Sequence, residues 1–133
     1  MLKLNKTAAY ALAVCCLLAT TYLLTLPGNS LPQSTWFDAV GFDKWVHVGL
    51  FGGLTGSWFL PFRAGWNTRF FRTVAIVVAA LVLAYGVGME FVQKWYVPNR
   101  NFDVWDIVAD GVGCALAYVL LARAIKIQAP LTP

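Results

Sequence analysis

Charged side chains are scarce in this chain. Asp, Glu, Lys and Arg make up 12% of its 133 residues, about half the share of a soluble domain. Apolar residues make up 59%, more than a soluble domain of this length could hide. That balance excludes a water-soluble globule and predicts a bilayer as the solvent. The net charge is +4, yet the basic residues form no cluster or helix face, which excludes a nucleic-acid groove. Cysteine is sparse too. Cys15 and Cys16 are neighbours, which rarely bridge each other, and Cys114 stands far away. No spacing resembles a zinc site, so all three read as small packing residues. There is no internal repeat and no low-complexity tract. No small-x-small cleavage site follows the first apolar run, which also exceeds the ~7–15 residues of a signal-peptide core. That run is expected to remain as a helix.

What is present is a series of apolar stretches, at about 7–26, 45–60, 73–93 and 105–122. Roughly 20 apolar residues cover a ~30 Å hydrocarbon core. Pro27, Gly28, Asn29 and Ser30 stop the first. With four crossings, Lys3, Lys6, Arg63, Arg69, Arg72, Arg123 and Lys126 share one side. By the positive-inside rule that side is the cytoplasm. Lys44, Lys94 and Arg100 fall on the other side, with every carboxylate. Trp36, Trp45, Trp95 and Trp105 mark the outer ends of spans and Trp58 and Trp66 the inner ends, as aromatic belts do. Gly49, Gly52, Gly53 and Gly56, Gly86 and Gly88, and Gly111 and Gly113 predict close helix approach in lipid. The expected fold is all-α: one integral-membrane four-helix bundle over residues 1–133, both termini cytoplasmic.

The acidic residues carry the functional signal. Asp38 and Asp43 precede the second stretch, Glu90 lies inside the third, and Asp103, Asp106 and Asp110 open the fourth. Ionisable groups in lipid are costly without partners, so a cluster of them points to function. Asp43 and His47, four apart, share a helix face, with Lys44 on the adjoining one. Glu90 and Gln93 are spaced i, i+3, and the three aspartates form a single stripe. Arg100 is the expected counter-charge. Structural roles compete with functional ones. Asp43, Asp103 and Asp106 suit helix starts, Lys44 can snorkel to the interface, and Gln93 can bridge helices. Glu90 and Asp110 lie a turn or more inside their spans, where an aspartate costs up to ~3 kcal/mol. Capping does not explain them.

The order Asp43-Lys44-x-x-His47, Glu90-x-x-Gln93, Pro98-x-Arg100-x-x-Asp103-x-x-Asp106 and Asp106-x-x-x-Asp110-x-x-Gly113 resembles the VanZ-like family of small bacterial membrane proteins. The matching elements cover residues 43 to 113. Two positions depart from the family pattern: Asp110 stands where Asn is usual, and Ala117 where a second Gly is usual. The resemblance implies the bacterial cytoplasmic membrane, an envelope role, and an association with tolerance of the glycopeptide teicoplanin.

Three functions compete. The first is a non-enzymatic module that recognises an anionic envelope or lipid-linked ligand. In it Arg100, Lys44 and His47 grip a phosphate or carboxylate, while Asp43, Glu90, Gln93, Asp103, Asp106 and Asp110 orient them. This reading needs no cofactor and no metal. The second is an enzyme on a lipid-linked or phosphorylated substrate, its carboxylates and His holding Mg²⁺ or Mn²⁺. No phosphatase or transferase signature is visible, and no nucleophilic Ser or Cys stands beside the cluster. The third is a small ion-coupled transporter or a structural membrane partner. Four short helices make a poor transporter monomer, so that version needs an oligomer.

Overall fold

The structure, a computed structural model, describes residues 5–30, 41–62 and 68–128. Asp38, Trp36, Trp66, Lys3 and Arg63 lie outside the described residues, as do the side chains of Arg69 and Lys126. Among the described residues four α-helices appear: α1 (Lys6–Leu24), α2 (Phe42–Phe59), α3 (Thr68–Tyr96) and α4 (Val104–Gln128). Short 3-10 turns follow α1 (Gly28–Ser30) and α2 (Leu60–Phe62). No strand occurs among the described residues. The fold is all-α.

Local sequence explains where the helices begin. Asn5 caps α1 by accepting a hydrogen bond from the Ala8 amide at 2.7 Å, which satisfies one of the donors a helix start leaves open. Asp103 does the same for α4, its Oδ1 accepting from the Trp105 amide at 2.8 Å. Before α2 stands Gly41 at φ +60°, a left-handed conformation that glycine adopts without a Cβ penalty.

Contacts between helix ends fix an up-down-up-down arrangement. At one end the Tyr10 ring near the start of α1 meets Phe62, beyond the end of α2, with centroids 6.3 Å apart. There Phe59 and Ala75 are buried against Val74, Tyr118, Leu121 and Ala122, so the α3 start and α4 end share that level. At the opposite end Lys44 of α2 reaches Asp103 before α4, and Gln93 of α3 reaches the last residue of α1. The main core lies between the ends and includes Leu24, Phe51, Leu54, Val82, Met89 and Cys114.

Three helices are long and apolar enough to cross a membrane: α1, the Arg72–Tyr96 part of α3 and the Val104–Arg123 part of α4. Their outward faces are apolar, with Leu18, Ile76, Leu81, Leu116 and Leu120 all exposed. α2 departs from the expectation of four comparable spans. It carries Asp43, Lys44, His47, Thr55 and Ser57 within 18 residues, and its composition does not meet the same standard. The reason lies in its position. α2 packs on each of α1, α3 and α4, so His47, Thr55 and Ser57 are buried among helices, while Asp43 and Lys44 stand at its end.

Glycine sets the closest approach. A Cβ on Gly113 would stand 2.5 Å from the Val48 carbonyl oxygen and 2.8 Å from the Gly52 nitrogen. Lipid tails are as apolar as leucine, so helices in a bilayer are held by such packing rather than by apolar transfer. Of the glycines expected to pack, Gly52, Gly86 and Gly113 do so tightly. Gly49, Gly53, Gly56 and Gly88 have nothing within 4 Å of a would-be Cβ.

Candidate functional site

The end formed by the α1 C-terminus, the α2 N-terminus, the α3 C-terminus and the α4 N-terminus holds the polar cluster. Successive turns of α2 present Lys44, His47 and Phe51. Successive turns of α4 present Asp103, Asp106 and Asp110, and Glu90 comes from α3. The cluster has an exposed rim and a buried floor. On the rim, the side chains of Asp43, Lys44 and Asp103 are 45%, 30% and 38% exposed. His47, Glu90, Gln93, Asp106 and Asp110 are buried.

Lys44 is the rim's centre. Its Nζ lies 2.6 Å from Asp43 Oδ2, 2.5 Å from Asp103 Oδ2 and 2.7 Å from Asp106 Oδ1. Partial burial works against the ammonium, but the contacts with Asp103, Asp106 and Asp43 outweigh it and hold the Lys44 pKa well above its ordinary value. Partial burial of Asp43 pushes its carboxyl up, and the Lys44 hydrogen bond and charge more than offset it, leaving that pKa below the usual range. At Asp103 the hydrogen bond from Lys44 outweighs burial and again lowers the pKa.

On the floor, His47 Nδ1 lies 2.8 Å from Asp110 Oδ1. Its Nε2 lies 3.7 Å from Asp106 Oδ2. The ring is parallel to Phe51, centroids 6.1 Å apart, and Phe51 packs in turn near Tyr85. Glu90 Oε2 accepts the backbone N–H of Asp103 at 2.9 Å, so one carboxylate of α3 ties down the start of α4. Asp110 Oδ2 is buried without a hydrogen-bond partner among the described residues. It faces Gly86, where a Cβ would collide with that oxygen and with Phe51.

This geometry revises two sequence expectations and decides between the two roles weighed for Gln93. Lys44, three residues before His47, is the residue turned over the Asp103–Asp106 stripe, and Asp43 stays on the exposed rim with its carboxylate against the Lys44 ammonium. Arg100 is not the counter-charge: its Nε donates to the Leu26 carbonyl at 3.5 Å, and it pairs with no carboxylate among the described residues. Gln93 is a bridge between helices, its Nε2 donating to the Leu24 carbonyl at 2.8 Å. Both side chains serve carbonyls at or just past the end of α1, where a helix leaves acceptors unpaired. The Gly28 amide completes this docking through the Pro98 carbonyl at 3.0 Å, and a Cβ on Gly28 would run into the Asn99 carbonyl oxygen. Sequence reasoning missed the place of Gly86 opposite Asp110. The signal was a glycine one turn before Glu90.

Two sets of donor atoms are close enough to hold a metal ion: His47, Glu90 and Asp106, and Asp43, Asp103 and Asp106. In each, one atom per residue lies within 4.8 Å of the others.

Comparison with known proteins gives one distant relative. The chain is 29% identical over 110 residues to an uncharacterised protein of Schizosaccharomyces pombe. The match covers 83% of this chain and 60% of that protein's length. No family model matches the chain, and no solved structure matches it.

Proposed function

We propose that this is a multi-pass membrane protein of the VanZ-like kind, with α2 crossing inside a bundle of α1, α3 and α4 and both termini on the cytoplasmic side. The positive-inside rule supports that orientation: the described cations Lys6, Arg72 and Arg123 belong to the end opposite the carboxylates. The polar end then faces outward, in a bacterium away from the cytoplasm. Exposed Trp45, Trp95 and Trp105 suit its interface.

The function is ligand recognition at that end, in envelope homeostasis or antibiotic tolerance. The charge balance carries the choice of ligand. Asp43, Glu90, Asp103, Asp106 and Asp110 surround one lysine and one histidine, and that lysine already serves three carboxylates. Arg100 pairs with no carboxylate among the described residues, and its Nε contacts the Leu26 carbonyl at 3.5 Å. The centre therefore takes positive charge first, and an anionic envelope group reaches it through a bound cation. The resemblance to a fungal protein favours a ligand chemistry common to many membranes over a drug-specific one.

Native mass spectrometry of the detergent-purified chain tests this. Wild type is expected to carry an adduct that Glu90→Gln loses while remaining helical and monodisperse. A bare wild-type protein overturns the reading and leaves a structural network.

A further inference from the structure

The floor of the polar end brings together three buried residues with metal-ligating atoms, His47, Glu90 and Asp106. His47 Nδ1 is engaged by Asp110 Oδ1 at 2.8 Å, which fixes the ring and directs Nε2 toward Asp106. The gap to Asp106 Oδ2 is 3.7 Å, beyond hydrogen-bond length. His47 is 3% exposed, and its Nε2 takes no hydrogen bond among the described residues. Glu90 is 1% exposed. One of its oxygens accepts the Asp103 amide, and the other takes no hydrogen bond among the described residues. Asp106 divides its oxygens, Oδ1 toward Lys44 and Oδ2 toward His47.

A gap of 3.7 Å between imidazole nitrogen and carboxylate oxygen is too long for a hydrogen bond and close to what a metal ion requires. With bonds of ~2.0–2.2 Å, neighbouring ligands of a tetrahedral ion stand roughly 3.4 Å apart. The three donors, within 4.8 Å of one another, need contract by at most about 1.4 Å to reach it. The second donor set, Asp43, Asp103 and Asp106, is different. It already encloses the Lys44 ammonium, which fills the place of a cation.

We propose that His47 Nε2, Glu90 and Asp106 bind a first-row divalent cation, Zn²⁺ or Mn²⁺, with Asp110 as the carboxylate that orients the histidine. Mixed imidazole and carboxylate ligands suit these ions. A metal-bound histidine nearly always gives its other ring N–H to a carboxylate or carbonyl, as His47 does to Asp110. Three protein ligands leave coordination positions for the oxygen of an anionic group. Lys44, held beside Asp106, is a second positive charge for that group to meet. The inference rests on the reading of the polar end as a centre that takes positive charge.

His47 is the single histidine of the chain, so its ring nitrogens report on this site alone. The full chain, purified without a histidine tag and labelled with ¹⁵N-histidine, is titrated with Zn²⁺ and, by calorimetry, with Mn²⁺. One equivalent of Zn²⁺ or Mn²⁺ is expected to saturate it. Zn²⁺ should move the Nε2 resonance while Nδ1 keeps its proton. Glu90→Gln and Asp106→Asn should weaken binding at least about tenfold, Asp110→Asn about 10- to 100-fold, and Asp43→Asn should leave it unchanged. Absence of saturable uptake of both ions by folded wild type, or a Zn²⁺ complex with unmoved Nε2, overturns the proposal. The wild-type spectra decide even where a variant does not fold. An organic adduct that survives in metal-free protein removes the metal and leaves the recognition function standing. Metal binding with no organic adduct keeps the metal and removes the envelope ligand.

Discussion

Gly113 is where α2 and α4 come closest, and Gly113→Ala is the sharpest test of how this bundle is held. The added methyl would meet the Val48 carbonyl oxygen at 2.5 Å and the Gly52 nitrogen at 2.8 Å. Both are backbone atoms of α2 and have no rotamer in which to withdraw. Relief to ordinary contact requires the helices to part by roughly an ångström, and such overpacking costs about 1–3 kcal/mol. Alanine returns about 1 kcal/mol through helix propensity, so the net loss is between about 0 and 2 kcal/mol. Gly53→Ala is the control. Its methyl has nothing within 4 Å, and only the propensity gain remains. Reversible unfolding in mixed micelles, followed by circular dichroism, should show Gly113→Ala less stable than Gly53→Ala, which is neutral or stabilised. The same separation should lengthen the 2.8 Å His47–Asp110 contact, one turn toward the polar end, and so change the His47 ring resonances. Equal stability of the two variants would refute the close α2–α4 contact.

Lys44→Met should cost about 1–3 kcal/mol, less than a fully buried pair because the rim is exposed to water, and mild acid should partly restore it by protonating the crowded aspartates. In wild type the pH dependence has two limbs. Asp43 and Asp103 have lowered pKa values, so their contribution is present at neutral pH and lost as pH falls through those values, below about 4. Lys44 has a raised one, so its contribution is fully present below its ordinary value near ~10.4 and is lost as pH rises from there through the folded one. Unfolding curves across pH should show both limbs in wild type and neither in Lys44→Met. Gln93→Leu removes the bond to the Leu24 carbonyl but also removes Oε1, which is buried without a partner among the described residues. The net loss should be about 1 kcal/mol or less in the same assay. Arg100→Ala gives up one 3.5 Å contact and should cost under about 0.5 kcal/mol, with the mass-spectrometric adduct retained. Loss of the adduct would return Arg100 to the ligand site.

Sequence alone predicted that the chain is helical and roughly where its helices lie. Apolar length and punctuation are local properties: the first two stretches fall within three residues of α1 and α2, whereas α3 begins five residues before its stretch and α4 ends six residues beyond its own. Helical spacing likewise put Asp103, Asp106 and Asp110 on one stripe, and the cost of charge in an apolar setting marked Glu90 and Asp110 as partnered. Partners were beyond its reach, because pairing depends on which faces of different helices meet. Spacing along α2 could not say whether Asp43 or Lys44 turns inward. The α2–α4 contact at Gly52 and Gly113 decided it, by bringing Lys44 over the Asp103–Asp106 stripe. Arg100 looked like the counter-charge because it is the cation next to that stripe in sequence. The docking of the α1 end beside the α3–α4 connection gave it a carbonyl instead. Nor could sequence foresee that Gly86 leaves room for Asp110, or that His47, held by Asp110, aims its second nitrogen at Asp106. Those facts depend on distances of a few ångströms between helices, and only packing in three dimensions fixes them.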